Sequence, residues 1–168
     1  MREEIPDNSV PGQSVDFYAY GSHGEQPEAV NLRLKARSNE YPEPPWWIEP
    51  VTERLTYLAK LGSNWNSHRA SEVQPEAIYL TVRVLVAVLG DASGRPLPTI
   101  VPTIRGGLQL EWHDEGIDLE IDVDPRGMVD VIFDDSFDHE EWEGYLGERE
   151  DDVRRALDTL AQRSSLTR

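Results

Sequence analysis

Between Leu108 and Val123 the chain reads LQLEWHDEGIDLEIDV, and no other stretch constrains the fold as strongly. Leu108, Leu110 and Trp112 alternate with Gln109, Glu111 and His113, and after a polar turn Ile117, Leu119, Ile121 and Val123 alternate with Asp118, Glu120 and Asp122. A period of two sends successive side chains to opposite faces of an extended strand, so each run is a half-buried strand with one apolar and one acidic face. Taking His113-Asp114-Glu115-Gly116 as the turn sets Trp112 against Ile117, Leu110 against Leu119 and Leu108 against Ile121. A one-residue slip would turn all of these groups to solvent.

The flanks extend the hairpin into a meander. Arg105-Gly106-Gly107 and Asp124-Pro125-Arg126-Gly127 read as turns, predicting further strands near residues 99–104 and 129–133. Pro102 has no amide to donate and belongs on an edge strand. If the last hairpin sets Ile121 against Val131 and Leu119 against Phe133, Asp122 falls opposite Asp130, and Glu111 falls opposite Asp118 in the first.

Upstream the period becomes helical. Val51, Leu55, Leu58 and Leu61 recur at helical spacing, with Pro50 suited to the first helical position and Gly62 to a left-handed cap. A second helix runs from Pro75 through the apolar segment 77–89 to Gly90 and, being apolar nearly all round, is expected to be buried. Near the C-terminus Asp138 and Glu141 stand at capping-box spacing, Gly144 and Gly147 interrupt, and a helix is expected over 148–163. It carries Val153, Leu157 and Leu160 as an apolar stripe, with Glu150–Arg154 and Asp151–Arg155 as i,i+4 ion pairs. The fold expected is α+β: an antiparallel meander of about four strands with two helices on one face and a C-terminal helix. It forms a single domain over 46–168. The segment 1–45, rich in Pro and Gly, is expected to be extended or partly ordered, with a β-hairpin within 15–37 that can lengthen the sheet.

The chain has 168 residues, no cysteine and a net charge of −16. Disulfides and Cys-based zinc sites are excluded, and the cytoplasm is the expected compartment. Residues 1–20 hold no apolar run of signal-peptide type, and no stretch approaches the ~20 apolar residues that span a bilayer. Charge of this sign argues against direct binding to nucleic acid or to anionic lipid. Residues 111–168 hold 19 Asp/Glu against 6 Lys/Arg, so the acidity belongs to the sheet and the C-terminal helix.

NWNSHRA followed by a helix, and PTIRGGLQLEW followed by an acidic alternating strand, are similar to a family of small bacterial proteins. In that family a tryptophan loop precedes a helix, and a Gly-Gly hairpin ends in Leu-Glu-Trp. The resemblance covers roughly residues 58–133. It implies accessory or mobile gene content and a protein partner, and it brings no assigned catalytic residues. Ser67 and His68 stand where the family pattern has a small residue and a tyrosine.

Three groups of residues bear on function. In the loop, His68 can serve as a base or ligand and Arg69 as an anion clamp beside Trp65; or Trp65 plugs the helical pair while the polar residues satisfy helix ends. Trp46 and Trp47 can anchor a partner or dock the tail onto its own domain. The outer sheet face, with Glu111, Asp118, Glu120, Asp122 and Asp130, places like charges across strands, which destabilises and asks for an explanation. Arg33, Lys35 and Arg37 can neutralise it from within, a basic partner can do so from without, or water alone solvates it. No metal or cofactor is expected. The calcium-like run from Asp122 has Arg126 at its fifth place and Phe133 at its twelfth, and His113-Asp114-Glu115 and His139-Glu140-Glu141 are sequence neighbours that do not converge. The expected function is a non-enzymatic acidic interaction module, an inhibitor or antidote of a basic protein, with an enzyme built on Trp65, His68 and Arg69 as the alternative. Oligomeric state is left open.

Overall fold

The computed structural model describes residues 43–90 and 92–166. The expected hairpin within 15–37, with Arg33, Lys35 and Arg37, lies outside them. The elements run α1 (Ile48–Leu58), α2 (Pro75–Leu89), β1 (Thr99–Pro102), β2 (Leu108–Asp114), β3 (Ile117–Val123), β4 (Val129–Asp135), β5 (Glu140–Tyr145) and α3 (Leu146–Leu166). The five strands form one antiparallel sheet in the order β1-β2-β3-β4-β5. The fold is the expected α+β meander, with Pro102 on an edge strand. No helix among the described residues is long and apolar enough to cross a membrane.

The alternation decides which face is covered. Ile100, Leu108, Leu110, Trp112, Ile117, Leu119, Ile121, Val123, Val131 and Phe133 are buried in one core with Val51, Leu55 and Leu58 of α1, Ala77, Val84, Leu85, Val88 and Leu89 of α2, and Val153, Leu157 and Leu160 of α3. Each Val, Leu, Ile or Phe side chain among them contributes about 1.5–3 kcal/mol by leaving water. α1 packs on β1, α2 on β2 and β3, and α3 on β3 to β5, so all three helices share one side of the sheet. Phe133 and Trp142 stack across β4 and β5 with ring centroids 4.8 Å apart.

One register differs from expectation. Asp114 pairs with Ile117, leaving Glu115 and Gly116 as a two-residue turn, so Trp112 faces Leu119, Leu110 faces Ile121 and Leu108 faces Val123. Both turn residues have positive φ, +49° and +79°, the signature of the type I′ turn whose twist matches that of the strands. The shift is by two residues, which changes every partner and no face. Ile121 against Val131, Leu119 against Phe133 and Asp122 against Asp130 are found as expected.

The ends of the helices also depart from expectation. α1 begins at Ile48, two residues before Pro50, and finishes at Leu58, capped through the backbone of Ala59 with a right-handed φ of −62°, so Gly62 has no capping role. α2 starts at Pro75 and stops at Gly90, whose φ is +51°, as expected, but Tyr79 and Val86 on its outer side are exposed. The capping box at Asp138 and Glu141 is absent, because Glu140–Tyr145 is the fifth strand; α3 is therefore continuous over Leu146–Leu166. Arg154 pairs with Glu150 as expected, whereas Arg155 pairs with Asp152 at 3.1 Å rather than with Asp151, which takes Arg154.

α3 is tied to the sheet at its far end. The Arg163 guanidinium donates to both Asp135 oxygens at 2.9 and 2.8 Å, to Asp138 Oδ2 at 2.9 Å and to the Glu115 carbonyl at 3.1 Å. Asp135 is only 3% exposed, and its Oδ1 also accepts the backbone N–H groups of Phe137 and Asp138. Arg95, bidentate to Asp158 and donating to the Val88 carbonyl, joins the linker to α2 and α3.

Candidate functional site

The NWNSHRA loop is held by its own asparagines. Asn66 Oδ1 accepts the N–H groups of His68 and Ala70 at 2.8 and 3.2 Å, Asn64 Oδ1 accepts that of Arg69 at 2.7 Å, and the Trp65 indole donates to the Ser71 carbonyl at 3.1 Å. Asn64, Ser67 and Arg69 take positive φ near +62° to +64°, which only such local bonding makes comfortable. The chain then pairs with the β1–β2 turn, Ser71 N–H to the Ile104 carbonyl and Gln74 N–H to the Gly106 carbonyl. Approach there is so close that a Cβ on Gly106 would stand 2.7 Å from the Glu72 carbonyl. His68 Nδ1 meets only the Asn66 carbonyl, at 2.7 Å, and among the described residues neither His68 nor Arg69 meets a carboxylate. This loop hands α1 over to α2.

Trp47 is 1% exposed and donates its indole N–H to the Gly90 carbonyl at 2.9 Å, while Trp46, 40% exposed, donates to the Ala92 carbonyl. Trp47 is a core residue here and offers no surface to a partner. A shallow cleft of about 410 Å³ between Ser71, Ile104, Arg105, Asp124, Pro125 and Arg126 has its Arg126 engaged by Asp124 at 2.8 Å. Those hydrogen bonds hold the Asp124 carboxyl down at about 2.

The other side of the sheet carries the remaining residues, in three rows. Gln109, Asp122, Asp130 and Tyr145 make the first; Glu111, Glu120, Ile132 and Glu143 the second; His113, Asp118, Asp134 and Glu141 the third. Glu111 faces Glu120, Asp122 faces Asp130, Asp118 faces Asp134 and Asp134 faces Glu141, with no lysine or arginine anywhere in the five strands. The expected Glu111–Asp118 pair is replaced by Glu111–Glu120 because of the shorter turn. All five sheet acids expected to form the face do lie on it, and none is buried. Among the described residues no helix packs on this side.

Two groups soften the repulsion. His113 Nδ1 is 2.7 Å from Asp118 Oδ1 and its Nε2 is 3.7 Å from Glu111 Oε2, while Gln109 donates to Glu120 Oε2 at 2.6 Å. Elsewhere the field is felt: Asp122 is pushed above the ordinary carboxyl range, first by partial burial and then by the charges of Asp130 and Asp124, with Arg105 working against it. Ile132 and Tyr145, both more than half exposed, supply apolar area amid the acids. The sequence expects the acids after Phe133 to continue this face, but it reads the segment holding Glu141 and Glu143 as a helix start rather than as β5. The period of Glu141, Glu143 and Tyr145 against Trp142 and Gly144 is the signal that finds them.

Among the described residues, fold and face define a small α+β module, with helices on one side of its sheet and an uncovered acidic face on the other. No family model, curated protein or solved structure matches the chain.

Proposed function

We propose that the chain is a non-enzymatic interaction module whose open sheet face receives a basic protein, as an inhibitor or antidote does. The observation that carries this is the set of four like-charged cross-strand pairs on a face whose strands contain no lysine or arginine. Each such pair destabilises the sheet by up to roughly 1 kcal/mol, a cost a cationic partner removes on binding. Exposed Ile132 and Tyr145 give the partner apolar purchase at the centre and edge of the acids. The same field repels nucleic acid and anionic membranes and competes with phosphate for a basic surface. The lack of cysteine suits a reducing cytoplasm. The enzymatic alternative finds little support, since His68 and Arg69 point to no shared partner.

The test is to capture the partner from the native host, identify it, and measure association rates with the purified protein at rising salt. Screening over a Debye length of ~8 Å at physiological ionic strength should slow association as salt is added. Asp118→Lys with Asp122→Lys should slow it further while circular dichroism stays unchanged, because both side chains are exposed on the polar side of β3. Unchanged binding by the folded double variant refutes the assignment of this face.

A further inference from the structure

The acidic face carries one imidazole, and the register places it where sequence neighbours could not. His113 stands directly across from Asp118, with Glu120 diagonal to it on β3 and Glu111 two residues back on its own strand. One donor atom from each of His113, Asp118 and Glu120 can be chosen so that all three lie within 4.8 Å of one another. The geometry points to a divalent-cation site formed by His113, Asp118 and Glu120, suited to a borderline metal ion such as Zn²⁺.

The absence of a metal site expected from sequence considered His113 only beside Asp114 and Glu115, whereas the ligands come from the facing strand. The three donors are compatible with one ion. Bonds of about 2.0–2.2 Å to a tetrahedral centre place ligand atoms a little over 3 Å apart. His113 Nδ1 and Asp118 Oδ1, now 2.7 Å apart, need only part slightly, and Glu120 closes from the diagonal.

One group outside the triad holds a ligand and another stands near it. The far imidazole nitrogen, Nε2, lies 3.7 Å from Glu111 Oε2, beyond hydrogen-bond distance but within reach of its charge. Gln109 Nε2 donates to Glu120 Oε2 at 2.6 Å and so orients that carboxylate. A cation there also offsets the repulsion between Glu111 and Glu120, which face each other. Imidazole with two carboxylates favours Zn²⁺ or Co²⁺ over hard ions such as Ca²⁺ and Mg²⁺, which ask for more oxygens. Three protein ligands on an exposed face leave the remaining positions to water.

The inference is independent of the proposed partner, and its test uses the full chain without one. Zn²⁺ binding is measured by calorimetry near neutral pH, and Co²⁺ binding by its visible absorption, with Ca²⁺ as the measure of general attraction to the acids. Zn²⁺ is expected to bind more tightly than Ca²⁺. His113→Ala should weaken Zn²⁺ about tenfold or more, abolish the Co²⁺ band and leave Ca²⁺ unchanged. Asp122→Asn with Asp130→Asn removes two charges from the same face outside the triad and should leave the Zn²⁺ affinity within about twofold. His113 is 46% exposed, so its truncation is compatible with an intact fold, checked by circular dichroism. Zn²⁺ binding no tighter than Ca²⁺ binding, or insensitive to His113→Ala, overturns the site. An equal loss in the Asp122/Asp130 variant overturns it too, leaving His113 as a hydrogen-bond partner of Asp118.

Discussion

Replacing Arg163 with alanine removes the one guanidinium bound to a carboxylate that the fold has taken almost wholly out of water. Asp135 is 3% exposed and would keep only its two backbone N–H donors, from Phe137 and Asp138. Breaking a buried pair from one side costs about 3–5 kcal/mol, and the surviving donors place this case near about 3 kcal/mol. The loss also frees the far end of α3 from the β2–β3 turn, since Arg163 holds the Glu115 carbonyl as well. The pH dependence is separately diagnostic. The Arg163 hydrogen bonds outweigh burial and hold the Asp135 carboxyl below its ordinary value. A carboxyl depressed in the folded state contributes stability that is present above its unfolded pKa of about 3.9 and is lost as pH falls through the folded value. Urea denaturation followed by tryptophan fluorescence should therefore show wild-type stability falling below pH ~4. In Arg163→Ala the curve should start about 3 kcal/mol lower and lose that part of its acid slope. Adding Asp135→Asn to Arg163→Ala should recover part of the loss, because the stranded charge is gone. A cost under about 1 kcal/mol, or an acid slope identical to wild type, would refute the buried-pair account.

Three further outcomes follow from the same structure. Thr81 is fully buried in α2 and its hydroxyl has no hydrogen-bond partner among the described residues, so Thr81→Val should raise stability by about 1 kcal/mol in the same urea assay. Leu119, fully buried at the centre of β3, should cost ~2–5 kcal/mol on truncation to alanine; a smaller loss would contradict the packed inner face. The Asp122 carboxyl, followed by NMR, should titrate above the ordinary Asp range and move down when Asp130 is changed to Asn, because Asp130 is the largest charge acting to raise it after burial.

Much of this architecture could be read from alternation alone, because a period of two states which face each residue takes and burial of one face enforces it. Turn length is a different kind of information. Asp114 has the same polar character in a turn as at a strand end, so HDEG reads as four turn residues although Glu115 and Gly116 suffice. The difference leaves both faces intact yet shifts every partner between β2 and β3 by two residues, which hides the grouping of His113 with Asp118 and Glu120. The fifth strand was hidden by Asp138 and Glu141, whose spacing imitates a helix start; Asp138 instead joins Asp135 in binding Arg163. Trp47 is placed in the core by the carbonyl of Gly90, more than 40 residues away, which no local pattern reveals, while Trp46 reaches the Ala92 carbonyl and stays 40% exposed.

Strand order in this sheet is chain order, and that has a bearing on how the molecule comes into being. Every strand pairs with the one made just before it across a short connection, so each closure costs little entropy, and that cost rises only slowly with loop length. Sheets assembled from distant segments fold slowly because their contacts are non-local, whereas here the non-local contacts are left to the helices. The meander can therefore grow one hairpin at a time as the chain leaves the ribosome, with α3 emerging after all five strands. Until α3 settles, the inner faces of β3, β4 and β5 lack the side chains of Val153, Leu157 and Leu160. Docking of Arg163 on Asp135 then fastens α3 to the sheet, so a ribosome-stalled chain ending before residue 163 should still be open to proteases.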